Sequence, residues 1–238
     1  MDRPTAVVTG GSGGIGRACV GELASDHDVA VHYHTDREGA EAAVEAVEDD
    51  DAETGIFRAD LGDRSEVEGM VDDVVDRFGG VDVLVNNAGV FFQTGLLEMT
   101  PEEIETTLSV NVTGTIYCTR AVLPSMLERG GGRIVTVASR AGVKGSPTDP
   151  VYGASKGGVI AFTRSLARQY TGDGVFANAV APGATDTKMY AEERRPAKRE
   201  ASPISRLVKP EEVADAVRFF VDTESVSGRV LEVDGGQD

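Results

Sequence analysis

Short apolar runs recur along the chain, with helix-length segments between them, and this alternation leaves few folds open. The runs cover residues 5–9, 29–33, 55–59, 81–85, 133–137, 175–181 and 229–233. Most read as continuous Val, Ile, Leu or Ala, the pattern of parallel strands buried on both faces. Helices are predicted over 15–23, 38–48, 67–78, 152–170 and 211–220. In the third, Val67, Met70, Val71, Val74, Val75 and Phe78 form one apolar stripe of a 3.6-residue repeat. A longer helix is predicted from Thr100-Pro101, a cap followed by proline in the first turn, to the glycines at 130–132. The rhythm predicts one α/β domain over 1–238, a doubly wound sandwich with a seven-stranded parallel sheet and helices on both faces. It breaks once, over 186–209, a polar stretch holding Pro196 and Pro203. In a compact domain such an excursion is a lid or a flexible insertion.

Composition removes several classes of function. The chain has 238 residues, 40% of them hydrophobic, enough for a sizeable core and too apolar for disorder. No window approaches the ~20 apolar residues of a membrane helix. Met1-Asp2-Arg3-Pro4 runs into the first strand without a signal-peptide layout, so a cytoplasmic protein is expected. The net charge is −17, which disfavours nucleic-acid binding. Cys19 and Cys118 sit in apolar helical contexts and read as buried small hydrophobes, with no disulfide and no metal site expected.

Chemistry enters at two motifs. Thr9-Gly10-Gly11-Ser12-Gly13-Gly14-Ile15-Gly16 follows a strand and opens a helix. A helix N-terminus offers unpaired N–H groups to a pyrophosphate, and glycine lets the backbone approach it. By itself this supports nucleotide binding, against the alternative of a glycine-rich turn. The second motif is Tyr152-Gly153-Ala154-Ser155-Lys156. Tyr and Lys at i, i+4 share a helix face, and an ammonium beside a phenol stabilises phenolate. Ser139 closes the fifth strand, and carboxyl ends of parallel strands form the ligand crevice, so Ser139 and Tyr152 can converge. Each residue alone has a bland explanation as a surface or half-buried group.

Together with Asp60-Leu61, Asn86-Asn87-Ala88-Gly89, Asn111 and Pro182-Gly183, these motifs resemble the short-chain dehydrogenase/reductase family along essentially the whole chain. The resemblance implies a Rossmann-like NAD(P)-dependent oxidoreductase. It makes Tyr152 the general acid and Ser139 the hydrogen-bond donor to the substrate oxygen. Lys156 would hold the nicotinamide ribose and tune Tyr152, and Asn111 would anchor a water that relays protons to Lys156. Gly10, Ser12, Gly13, Gly14, Ile15 and Gly16 would cradle the phosphates. Asp60 and Leu61 would meet the adenine, and Asn87, Ala88 and Gly89 the adenosine ribose side. Pro182, Gly183, Thr185 and Thr187 would pass the nicotinamide. A homotetramer, or a dimer, is also implied.

The second strand ends His32-Tyr33-His34-Thr35, with the first acid, Asp36, too late for a ribose 2′-OH. His34, Thr35 and Arg37 can instead donate to a 2′-phosphate, so NADP(H) is expected over NAD(H), although Gly13 stands where NADP-preferring relatives often carry a basic residue. Within the family the chain is most similar to 3-oxoacyl-acyl-carrier-protein and acetoacetyl-CoA reductases, which implies an acyl thioester on acyl carrier protein or CoA. Arg194, Arg195, Lys198 and Arg199 are either a patch for its phosphates or a solvated helix face, since Glu192, Glu193 and Glu200 are close. Two other readings remain: a dehydrogenase of a sugar, polyol or other small alcohol, and a non-catalytic cofactor-binding protein.

Only 5 lysines accompany 18 arginines, 20 aspartates and 20 glutamates, a balance that suits a salt-rich cytoplasm. The melting temperature is expected to rise between dilute buffer and molar KCl. A scan showing no rise would remove the halophilic reading.

Overall fold

The computed structural model describes residues 3–48, 51–189 and 192–237. Seven strands form one sheet: β1 (Thr5–Val8), β2 (Asp28–Tyr33), β3 (Thr54–Arg58), β4 (Val83–Asn86), β5 (Gly132–Val137), β6 (Val175–Pro182) and β7 (Val230–Val233). Their order is β3-β2-β1-β4-β5-β6-β7, and every pairing is parallel. The chain therefore winds outward from β1 in one direction and from β4 in the other. Neighbouring crossovers diverge at that switch point and leave a crevice beyond the strand ends.

The helices are α1 (Gly14–Ala24), α2 (Arg37–Glu45), α3 (Arg64–Phe78), α4 (Pro101–Leu108), α5 (Thr115–Glu128), α6 (Arg140–Lys144), α7 (Pro150–Tyr170), α8 (Arg195–Glu200) and α9 (Pro210–Asp222). Successive strand residues point to opposite faces, so each strand feeds two cores. On one face Ala6, Val8, Val29, Val31 and Val85 pack with Cys19, Leu23 and Phe220 from α1 and α9. On the other, Val7, Ala30, Leu84 and Ile134 pack with Val74, Cys118 and Leu166 from α3, α5 and α7. Both cysteines are buried, and burial pushes their thiols up to about 12. Among the described residues no helix is long and apolar enough to cross a membrane.

The helix expected from Thr100 to the 130–132 glycines is broken. Thr100 and Glu103 do form a capping box, but a π-helical turn over Ser109–Gly114 separates α4 from α5. Its sequence, Ser-Val-Asn-Val-Thr-Gly, is poor in helix formers. Gly114 also lets the turn close on Leu61, whose Cβ would lie 2.8 Å from any Cβ placed there. Helices α6 and α8 were not foreseen, being five and six residues long and too short to show a period. The described residues of 186–209 leave the sheet as expected. A parallel bridge between Thr185 and Val208 closes their base, and positions 190 and 191 lie outside the described residues.

Helix α9 holds α1, and so the glycine loop, against the sheet. Phe220, 2% exposed, is its largest anchor. Phe220→Ala is expected to lower unfolding free energy by about 3–5 kcal/mol, read from denaturant midpoints.

Candidate active site

The carboxyl ends of β1, β2, β4, β5 and β6 open onto one cleft of about 1290 Å³. At one end the chain leaves β1 and enters the glycine loop. Gly10 and Gly14 have φ of +64° and +53°, a backbone that other residues adopt only under strain. A Cβ on Gly16 would lie 2.1 Å from the Gly10 carbonyl oxygen, so Gly16 serves close packing of α1 on the loop rather than the cleft wall. Thr9 and Asn87 lock the loop to β4. Asn87 Nδ2 donates to the carbonyls of Thr9 (2.9 Å) and Gly10 (3.1 Å), and the Asn87 and Ala88 amides donate to Thr9 Oγ1.

This end fits an anionic dinucleotide. Helix α1 carries no side-chain cap and no acid in its first turn, whereas α2, α3 and α4 are capped by Asp36, Asp63 and Thr100. An uncapped N-terminus facing a cleft leaves N–H groups and the positive end of the helix dipole for phosphate oxygens. Ser12, Gly13, Gly14 and Ile15 all line the cleft.

His34 and Thr35 line the cleft beyond the loop, and His34 Nε2 lies 3.9 Å from Asp60, which with Leu61 forms the neighbouring wall. Two expectations need correction here. Arg37 does not line the cleft; it starts α2 and its guanidinium binds Glu41 at 2.8 Å. Asp36, expected too late in sequence, does reach the rim, because the chain turns sharply after β2. There it accepts from the Gly39 amide as the cap of α2.

The other end holds the second motif. Pro150 starts α7, which places Tyr152 in its first turn and Lys156 one turn on. Lys156 is buried, and its Nζ donates to the Val137 carbonyl at the end of β5 (2.9 Å) and stands 5.9 Å from the Tyr152 ring centre. Burial lowers its pKa to about 8, so the ammonium still predominates at pH 7. Ser139 caps α6, accepting from the Ala141 amide at 3.1 Å, and lines the cleft with Tyr152 and Lys156.

Asn111 stands behind this wall. Its side chain pairs with both backbone groups of Val90 (2.8 and 3.0 Å) and donates to Ser155 Oγ (3.1 Å), which in turn donates to the Tyr152 carbonyl (2.8 Å). A Cβ on Gly89 would meet Asn111 Oδ1 at 3.1 Å and Lys156 Nζ at 3.3 Å, so the wall is thin there.

All other expected residues line the cleft: Gly10, Asn87, Ala88, Gly89, Pro182, Gly183, Thr185 and Thr187. The sequence reading missed Ser155, His32, and the apolar rim of Phe91, Phe92 and Met189. Phe91 packs its ring 4.6 Å from that of Tyr152. The adjacent aromatic pair just past β4 was the available signal. Of the basic cluster, only Arg195 lines the cleft. It is engaged by Asp186 (2.8 Å), Glu192 (3.3 Å) and the Thr187 carbonyl (2.8 Å), so it splints the excursion instead of presenting free charge.

Residues 4–198 match the sequence model of the short chain dehydrogenase family. The chain belongs to that family. This short-chain dehydrogenase is 37% identical to the 3-oxoacyl-[acyl-carrier-protein] reductase of Synechocystis, over 97% of this chain and 95% of the relative. It is 34% identical to that of Staphylococcus aureus, over 98% and 97%. A short chain dehydrogenase from Burkholderia cenocepacia, solved in complex with NADP, superposes with a TM-score of 0.92 at 37% identity, covering 99% of this chain and 97% of that one. Levodione reductase superposes at 0.93 with 33% identity, covering 100% and 98%. The protein is an NAD(P)-dependent oxidoreductase on the expected Rossmann-like sheet.

Lys156 binds fewer protons folded than unfolded between pH about 8 and 10.5, so its burial makes stability rise with pH across that window. Lys156→Met is expected to lack this rise when denaturant midpoints of the two proteins are compared. Parallel curves would refute the buried ammonium.

Proposed function

We propose that this short-chain dehydrogenase reduces a 3-oxoacyl thioester, carried on acyl carrier protein or CoA, to the 3-hydroxyacyl thioester. The observation that carries the reading is Tyr152, Ser139 and buried Lys156 gathered at one end of a dinucleotide-shaped cleft. The two 3-oxoacyl reductases noted above, matched over nearly their whole length, supply the substrate class.

A nicotinamide, when held by the cleft, would supply the hydride for the 3-carbonyl carbon. Ser139 Oγ and the Tyr152 hydroxyl donate to the carbonyl oxygen, where negative charge develops. Tyr152 then gives that oxygen its proton. Lys156 stabilises the resulting phenolate and holds the ribose. Asn111 props Gly89 and Val90 against Lys156 and marks the side from which a water relays the replacement proton. Asp60, Leu61 and Asn87 to Gly89 take the adenosine half, and Pro182, Gly183, Thr185 and Thr187 the nicotinamide half. Residues 186–209 act as the substrate lid of a single domain spanning the chain.

NADPH is the proposed cofactor. No carboxylate occupies position 34, and His34 and Thr35 offer donors to a 2′-phosphate. Around Gly13 a Cβ would meet nothing within 4 Å, which leaves room at the point where a basic residue is absent. We propose a cytoplasmic homotetramer or dimer, which the open edge strand β7 and exposed Phe219 and Leu231 favour.

A second reading, a dehydrogenase of a small alcohol, draws on a neighbour named acetoin dehydrogenase from Salmonella typhimurium, at 28% identity and a TM-score of 0.91 over 99% of this chain. Turnover of acetoacetyl-CoA with NADPH and with NADH, set against sugars and small alcohols at low and high salt, separates the two. Tyr152→Phe is expected to fold, bind NADPH and lose about 10³-fold in turnover. Retained turnover would reject the acid assignment.

A further inference from the structure

His32 lies in β2, is 2% exposed and lines the floor of the cleft beneath the glycine loop. Its two ring nitrogens have different partners. Nδ1 receives the Gly10 amide at 3.0 Å, and Nε2 lies 3.0 Å from the Ala59 carbonyl. An amide can only donate and a carbonyl can only accept, so Nδ1 is bare and Nε2 carries the proton. His32 also offers its backbone carbonyl to the Gly11 amide at 2.9 Å. One residue thus takes the Gly10 and Gly11 N–H groups, and Asn87 takes the Thr9 and Gly10 carbonyls.

We infer that His32 is the positioning residue of the cofactor site. Through its neutral Nε2–H tautomer it holds the Gly10 amide down, so that the following amides, Ser12 to Ile15, stay aimed at a pyrophosphate. The loop's other anchors cannot substitute for it. The Asn87 side chain grips only carbonyls, and Thr9 Oγ1 is taken up by the Asn87 and Ala88 amides and the Val85 carbonyl. Without the ring nitrogen, the Gly10 amide is left buried or turned toward the phosphates' place, and Gly10, at φ +64°, has the freedom to swing. Burial also pushes the His32 pKa down to about 4, against the hydrogen bond to the Ala59 carbonyl, which raises it, while His34 and Asp60 act on it in opposite directions. The ring therefore stays neutral at physiological pH and keeps its acceptor.

This inference rests on the dinucleotide reading of the cleft. In wild-type protein labelled with ¹⁵N-histidine, His32 is expected to show a bare Nδ1 and a protonated Nε2 at pH 7. The reverse tautomer, or an imidazolium, would overturn the inference without any variant. His32→Leu removes the acceptor and is expected to raise the NADPH Kd and KM about tenfold, with a much smaller fall in kcat at saturating cofactor. His32→Asn, whose Oδ1 can accept from Gly10, is expected to restore most of the affinity. Unchanged affinity in His32→Leu, a loss confined to kcat, or no rescue by His32→Asn would each overturn it. Should His32→Leu fail to fold, the His32→Asn affinity and the wild-type spectrum still decide. Wild-type protein that binds neither NADPH nor NADH would instead remove the dinucleotide reading itself.

Discussion

Parallel pairing leaves a strand no freedom over where its carboxyl end goes. Val8 pairs in register with Val31 and Val85, Asn86 with Thr136, and Val137 with Val180. Each strand then has to be followed by a crossover, and every crossover begins at the same edge of the sheet. The glycine loop, the turn after β2, Asn87 to Gly89, Ser139 and Gly183 to Thr187 all lie at the starts of such crossovers. Residues more than 170 positions apart in sequence meet because of this constraint. The reversal of winding between β1 and β4 then keeps the meeting place open.

Within that frame the site depends on polar groups that burial makes expensive to leave unpaired. Lys156 is tolerated because the last carbonyl of β5 accepts from it. Asn111 is satisfied by the Val90 backbone and Ser155, and His32 by Gly10 and Ala59. These bonds all run between different elements. They tie the π-helical turn to the loop after β4, α7 to β5, and the glycine loop to β2 and, through His32, to the residue after β3. The same bonds that satisfy buried atoms therefore set the spacing of the groups facing the cleft, and a pre-set spacing is what hydride and proton transfer need.

Much of this was legible in the chain. The seven strands and their parallel pairing follow from runs such as Val81 to Val85. The glycine loop follows from glycine density between a strand and a helix, and the Tyr152–Lys156 face from its i, i+4 spacing. What was not legible shares a physical cause. The π-helical break coincides with an Asn111 side chain bonded to Val90, 21 positions away. Arg37 faced away from the cleft and Asp36 toward it because of where one turn ended, which residue types do not encode. Arg195 lost its free charge to Asp186, nine positions away, and Glu192, three away, a pairing that needs the fold of the excursion.

The sequence by itself determined the α/β class, the strand count, the family and the side chains proposed for the reaction. All of these are written in local periodicity and in motifs that occupy consecutive or helically spaced residues. The tertiary structure alone decided which of those side chains reach the cleft and which stand behind it. It also decided the tautomer of His32 and the partner of Lys156. Those outcomes depend on hydrogen bonds between distant elements, and a buried donor takes whichever acceptor the packing brings within 3 Å.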